Sequence, residues 1–368
     1  MEWIAIDKEL GGSSYSFLKI INRQQIWIIR NHLRDKKPLR TFSWSYKDHK
    51  TPRELLVEDT ISGWYKAKHR TASNSEIDFI NSILIKCCHH CSSSKIVKNC
   101  FNRNNIQNYF CKDCGRNFNP LTNTLFDSRK IPISEWFEYL LHLFEYHSIT
   151  SSAYDNRNAN STGEHWLIMV FEVLKVIQQD VVLSGRIFID ETYFSKKKSN
   201  AITKNGKKLR GISINKIGVA TAISEDMKSS FLIATNTSKP SRKSTLNSYA
   251  SHIEEGSTII HDGDNSHIVL IETLHLNSEE HPSIETKNLK DKENPMYPIN
   301  HYHSLLKRFM RAHSGYNRDN LQDWLNLFWF ITNKPNDRYD KVLRFIELAI
   351  SSPKRVKYRD VMSSISTK

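Results

Sequence analysis

No apolar run in this 368-residue chain approaches the roughly 20 residues needed to span a bilayer, so a membrane-spanning role is not expected. The opening Met1-Glu2-Trp3-Ile4-Ala5-Ile6-Asp7 has neither the basic segment nor the long apolar core of a secretory signal. The chain is therefore expected to stay in the cytosol, where thiols remain reduced. It has no internal repeat and no long low-complexity tract. Cysteine is scarce, with six residues, all between Cys87 and Cys114. Acidic residues are outnumbered, 39 against 53 Lys and Arg, which leaves a formal net charge of +14. Such a surplus favours a polyanionic partner, nucleic acid first and an anionic membrane surface second. At 39% hydrophobic and 25% charged, the chain can bury a sizeable core, and its length suggests two or three domains.

The clustered cysteines form two pairs, Cys88-His89-His90-Cys91 and Cys111-Lys112-Asp113-Cys114. Each pair sets two thiolates on one tight knuckle, and two knuckles close a tetrahedral site suited to structural zinc. Gly115 permits the turn after the second knuckle. Cys87 could replace Cys88, and His89 or His90 could replace a thiolate. Cys100 reads as a plain thiol in mid-loop.

Around the cluster, apolar spacing predicts a helix over 76–86 and another over 133–146, the latter with Trp136, Phe137, Tyr139, Leu140, Leu143 and Phe144 at helical spacing. Ser161 with Glu164 reads as a capping box opening a helix to about Gln178. Helices in such close succession fit a helix-turn-helix or a helical linker. From Gly185 the texture changes. Strands are expected at 185–190, 217–223, 231–234 and 258–262, with a helix over 246–253 between the last two. This pattern predicts a mixed α/β sheet. A final helix is expected over 339–350, ahead of a basic tail with Lys354, Arg355, Lys357 and Arg359.

Two of the strands read as apolar runs ending in a carboxylate: Ile187-Phe188-Ile189-Asp190 and Ile259-Ile260-His261-Asp262. A buried Asp is costly unless it is paired or binds a cation. Two such aspartates on one sheet can converge on a divalent ion with oxygen ligands, usually magnesium. Pro298 suits the first turn of a helix running to His313. On it Ile299, Tyr302, Leu306 and Phe309 form a core stripe. Asn300, His303 and Lys307 share another face.

Here the chain resembles a known family. The run Ile299-Asn300-His301-Tyr302-His303-Ser304-Leu305-Leu306-Lys307-Arg308 is similar to the hallmark of bacterial insertion-sequence transposases in the group whose type element is insertion sequence fifteen-ninety-five. Cys114-Gly115-Arg116-x-Phe118, Leu121-Thr122-x-Thr124-Leu125, Asp190-Glu191-Thr192-Tyr193-Phe194, Leu209-Arg210-Gly211-Ile212-Ser213 and Asp262-Gly263 add to the likeness, which covers about 88–333. The resemblance implies a ribonuclease-H-like α/β catalytic domain, its mixed sheet flanked by helices. It implies that a zinc ribbon and a helical segment precede that domain. The corresponding divisions are a basic region of unassigned role at 1–80, the ribbon at 81–130, helices at 131–180, the catalytic domain at 181–335, and a basic helix and tail at 336–368. By the same resemblance Asp190, Asp262 and Asn300 are the catalytic triad, holding two magnesium ions (manganese as substitute), and Lys307 is the accompanying basic residue.

The implied activity is cutting at transposon ends and joining 3′-hydroxyls to target DNA, by a cytoplasmic, nucleoid-associated bacterial enzyme acting as a homodimer or larger synaptic assembly. Lys207, Lys208, Arg210, Arg242 and Lys243 are candidate phosphate contacts; their plainer reading is solvated surface charge. Two rivals remain at this level: a decayed or domesticated zinc-ribbon DNA-binding protein, and a ribonuclease-H-like nuclease that cuts without joining.

Overall fold

The computed structural model describes residues 74–127, 131–195, 216–235, 240–286, 288–314 and 316–351. The basic opening region up to 73, the candidate DNA contacts Lys207, Lys208 and Arg210, and the basic tail lie outside the described residues. Helix α1 (Asn74–Ser82) leads into a three-stranded antiparallel ribbon of β1 (Ile96–Phe101), β2 (Gln107–Cys111) and β3 (Asn117–Phe118). Three helices follow: α2 (Ile133–Phe144), α3 (Ile149–Asp155) and α4 (Asn160–Leu174).

The capping box expected at Ser161 is not formed. Helix α4 starts two residues earlier, at Asn160 behind Ala159, which makes no side-chain cap. The Asn160 amide donates to Glu164 Oε1 at 2.9 Å, so Glu164 is not free to reach back to the helix start. Trp166, Met169, Val170 and Leu174 of α4 are buried, and its exposed positions Asn160, Ser161 and Glu164 carry no positive charge. Gly163 is where α3 and α4 touch. A Cβ there would meet the Cβ of Ala153 at 2.6 Å. Gly163→Ala is therefore expected to destabilise the protein despite its better helix propensity, by roughly 1–3 kcal/mol. Thermal denaturation checks this.

The second half is a five-stranded mixed sheet of β4 (Arg186–Ser195), β5 (Lys216–Ser224), β6 (Ser230–Ala234), β7 (Thr258–His261) and β8 (Asn277–Glu280), in the order β6-β5-β4-β7-β8. The first three strands pair antiparallel, while β7 and β8 run parallel to β4. A central first strand, flanked by a meander on one side and parallel crossover strands on the other, is the ribonuclease-H-like order the sequence led us to expect.

Side chains alternate across the pleat, so each strand feeds two cores. Phe188, Val219, Ile223, Leu232 and Ile260 face α7 (Tyr297–Ala312) and α8 (Leu321–Thr332). Ile187, Ile189, Ala220, Ala222, Phe231 and Ile259 pack with residues of α5 (Arg242–Tyr249) and α6 (Ile268–Leu274). The last helix, α9 (Arg338–Ser351), is no appendage. Its Val342, Phe345 and Ile346 are buried, and Phe345 meets Phe144 of α2 edge-on at 6.1 Å.

Strand β6 is an edge, and amide side chains occupy its free backbone groups. Gln178 accepts from Leu232 N–H at 2.8 Å, and Gln322 accepts from Ala234 N–H at 2.8 Å. Gln178 also donates to Asn326 Oδ1 at 2.7 Å. Gln178 thus serves the sheet edge, and α4 ends at Leu174 instead of continuing to that residue.

Candidate active site and cysteine cluster

The two cysteine knuckles are built alike. Ser92 N–H donates to Cys88 O at 2.8 Å, and Gly115 N–H donates to Cys111 O at 2.9 Å. The fifth residue of each turn sits at positive φ, 60° for Ser92 and 67° for Gly115. The folded-back knuckles bring Cys88 Sγ within 3.7 Å of Cys114 Sγ, and Cys91 Sγ within 3.6 Å of Cys111 Sγ. All four sulfurs lie within 4.8 Å of one another. A disulfide would need about 2.05 Å, whereas tetrahedral thiolates around zinc stand about 3.8 Å apart for a Zn–S bond of about 2.3 Å. The spacing fits the ion. Backbone N–H groups of Cys114 and Asp113 also hold the Cys111 thiol below its usual pKa. Of the alternatives, Cys87 is outside this group and Cys100 is exposed on β1. His89 Nδ1 is bonded to Thr122 O at 2.8 Å, and His90 lies beside the Asn123 amide at 3.2 Å.

The carboxylates meet where β4 and β7 run side by side. Their parallel register pairs Ile187 with Ile259 and Phe188 with Ile260. Two residues further on, Asp190 and Asp262 emerge on neighbouring strands. Asp190 does not end its strand as expected. Antiparallel pairing with β5 carries β4 on to Ser195, so Asp190 sits at mid-strand beside the point where β7 stops. Gly263, at φ +82°, turns the chain away directly after Asp262, with Glu280 Oε2 only 3.5 Å from where a Cβ would stand.

The Asp190 carboxyl is pushed up to about 7 by burial and by the charges of Glu191 and Asp262, against the opposing Glu191 N–H bond at 2.8 Å and the His267 charge. A half-buried pair of carboxylates that resist joint ionisation suits a cation.

Helix α7 closes this side. His303 Nδ1 stands 3.5 Å from Asp190 Oδ2. Burial and the Lys307 charge push the His303 ring down to about 3, so it stays neutral beside the aspartate. Its Nε2 is buried with no hydrogen-bond partner among the described residues. Asn300 and Lys307 are exposed, one turn to either side of His303 on the same face. From the sequence, His303 could equally have been surface; at 5% exposure it is not. Arg242 and Lys243 are exposed in the first turn of α5.

On the opposite face a polar chain missed by sequence reasoning backs both strands. Glu191 Oε1 accepts from Tyr249 Oη at 3.0 Å and faces His267 Nε2 at 3.4 Å. His267 Nδ1 lies 3.0 Å from His261 Nδ1, which also accepts from Gly263 N–H at 3.1 Å. His261 Nε2 then reaches Ser278 Oγ at 2.9 Å. Because His261 Nδ1 is an acceptor, the proton between the two rings belongs to His267. Burial works against a charge on His267, yet the bond and charge of Glu191, with Asp262 and Asp264, hold it above its usual value. His261 is pushed down to about 4 by burial and by His267.

Residues 182–330 match the model of the ISXO2-like transposase domain. Over this stretch, which is less than half of the chain, the sequence is similar to an ISXO2-like transposase domain. This is the group of insertion sequence fifteen-ninety-five, so the protein is an insertion-sequence transposase. The match spans the whole five-stranded sheet together with α5 to α7 and most of α8, and so contains Asp190, Asp262, Asn300 and Lys307. No match was found among curated proteins.

Among solved structures the transposase resembles a pre-cleavage Mos1 transpososome, at 10% identity over 56% of this chain and 77% of that one, with a TM-score of 0.22. It also resembles a Mos1 strand transfer complex, at 10% identity over 60% and 78%, TM-score 0.24. A Mos1 mariner paired end complex with Mn matches at 10% identity over 88% and 97%, TM-score 0.24. With scores that low, the fold assignment rests on the strand order and the family match. No helix among the described residues is long and apolar enough to cross a membrane.

Proposed function

We propose that this transposase cuts at the ends of its element and joins the 3′-hydroxyls to target DNA, with Asp190, Asp262 and Asn300 holding two magnesium ions and Lys307 beside them. The observation that carries this reading is the half-buried, mutually repelling pair Asp190 and Asp262 facing the helix that bears Asn300 and Lys307. Two such ions supply activation of the attacking oxygen and stabilisation of the leaving one. Asp190 would be the carboxylate shared by both ions. Asp262 holds one, and Asn300 offers an uncharged amide oxygen to the other. His303, neutral and buried, keeps Asp190 facing the site without neutralising it. Lys307 reaches toward the phosphate next to the scissile bond. The back-face chain from Glu191 to Ser278 ties β4, β7 and β8 together and fixes the spacing of the two aspartates.

Zinc on Cys88, Cys91, Cys111 and Cys114 holds the ribbon, which reads the terminal repeats as double-stranded DNA. Arg242 and Lys243 support phosphate binding, so affinity for DNA is expected to fall steeply with salt. Synapsis of two ends requires at least a dimer. The DNA substrate supports action in the bacterial cytoplasm.

The test is magnesium-dependent cleavage and joining of an end-containing duplex by wild type, Asn300→Ala and Asn300→Glu. Loss with Ala and substantial retention with Glu fits an oxygen ligand. Full activity with Ala removes Asn300 from the site, and DNA binding with no cleavage under any divalent metal would leave a binding protein.

Metal affinity should follow the Asp190 proton. Below about pH 7 the metal-free carboxyl is mostly protonated and must lose its proton to bind, so the apparent Mg2+ or Mn2+ affinity is expected to fall about fivefold from pH 7 to pH 6. Isothermal titration at pH 6, 7 and 8 checks this; a pH-independent affinity contradicts it.

A further inference from the structure

The elbow between α2 and α3 collects metal-ligating side chains well away from the cysteines and the sheet. His142 lies in the last turn of α2, Glu145 is its C-cap, and His147 follows two residues later. Tyr146 takes φ +67°. Glu145 N–H donates to Leu141 O at 3.1 Å, Tyr146 N–H to Leu143 O at 3.2 Å, and His147 N–H to His142 O at 3.1 Å. This closure folds the chain onto the helix end and brings the two imidazoles to 5.0 Å between ring centres, tilted by 30°. One ligand atom from each of His142, Glu145 and His147 lies within 4.8 Å of the others.

The ring nitrogens are poorly served by the protein itself. His142 Nδ1 is buried with no hydrogen-bond partner among the described residues. His147 Nδ1 has only the Asp155 carboxylate, at 3.6 Å, beyond hydrogen-bond reach. Glu145 has one oxygen, Oε1, on Arg338 Nη1 at 2.7 Å, which leaves Oε2 for another partner. Asp155 stands behind His147 where a carboxylate orients a metal-bound imidazole.

We propose that His142, Glu145 and His147 form a second zinc site, which pins the α2–α3 elbow and, through Arg338, helix α9. Two imidazole nitrogens and one carboxylate oxygen suit zinc, whereas magnesium and calcium select all-oxygen sets. All three ligands fall within six residues on a helix end already closed by backbone hydrogen bonds, so little chain entropy is lost on binding. With three protein ligands the fourth position goes to water.

The experiment counts zinc by elemental mass spectrometry in full-length protein after desalting. An Asp190→Asn background keeps the catalytic carboxylates from contributing. The expected count is two per chain, falling to one in His142→Gln/His147→Gln. Glu145→Gln, a milder change, should weaken the second zinc about tenfold or more while leaving the first. One zinc in the parent overturns the proposal whatever the variants do. So does an unchanged count of two in the folded double variant.

Discussion

Asp190→Asn is expected to abolish end cleavage and strand transfer while making the metal-free protein more stable. The first effect follows from removing a carboxylate that would hold the proposed metals. Their stabilisation of the transition state is worth several kcal/mol, so a loss of on the order of 10^3-fold or more is expected. Binding to end DNA should stay within about twofold, because phosphate contacts by Lys and Arg are untouched.

The second effect has the opposite sign. An unfolded Asp titrates near 3.9, whereas the folded Asp190 is pushed up to about 7, chiefly by burial and by Glu191 and Asp262. The native state therefore binds the proton more tightly, and stability of the metal-free protein falls as pH rises from about 4 to about 7. Above 7 the whole penalty is present. Asn carries no charge to desolvate, so at pH 8 in chelator the variant should gain roughly 1–3 kcal/mol, discounted for a side chain that is 25% open to solvent. A denaturation series at pH 5 and pH 8 checks it: the gain should shrink at pH 5. A variant that is inactive and also less stable at pH 8 would indicate that Asp190 serves the fold.

Removing the zinc proposed for the four cysteines is the other large perturbation. The ribbon strands are short, and β3 has only two residues. Its packing centres on Cys88, Cys111, Tyr109 and Phe118. Little remains to oppose chain entropy once four thiolates are left to repel one another or take up protons. Zinc binding to small sites of this kind contributes about 10–16 kcal/mol near neutral pH. Cys111→Ser, or a strong chelator, is expected to unfold β1–β3 and to cost most of the affinity for transposon ends. Hydrogen exchange should show lost protection over 88–118 with β4 and β7 still protected. Unchanged protection in the ribbon after the ion is gone would contradict a structural role.

How much of this was legible in the sequence depends on which forces act locally. The knuckles were, because Cys-x-x-Cys spacing, a small residue at the turn and a metal's geometry are all short-range. Strands β5, β6 and β7 were, because both of their faces meet protein and the chain must be apolar on both. Strand β8 was not: Asn277-Ser278-Glu279-Glu280 is polar throughout, and it is a strand because β7 offers an open edge with matching register. The end of β4 was misplaced for a related reason. A carboxylate after an apolar run looks like a strand terminus, yet the antiparallel partner β5, which sets Thr221 against Asp190, carries the strand through it.

The third site member was legible only in part. Helical spacing put Asn300, His303 and Lys307 on one face, but spacing cannot say which of them the sheet will bury. Packing decides that, and it brings His303 against Asp190 while leaving Asn300 and Lys307 at the surface. The back-face chain from Glu191 through His267 and His261 had no signal at all. Its members are scattered over β4, β7 and the turn before α6, and only the parallel crossover brings them together.

The central claim is that Asp190, Asp262 and the face of Asn300 hold a pair of divalent ions. Manganese titration followed by electron paramagnetic resonance, with transposon-end DNA present, tests it most directly. Wild type should take up about two ions that Asp190→Ala loses together, with Asp262→Ala and Asn300→Ala each losing one. Equal uptake by all four proteins would contradict it.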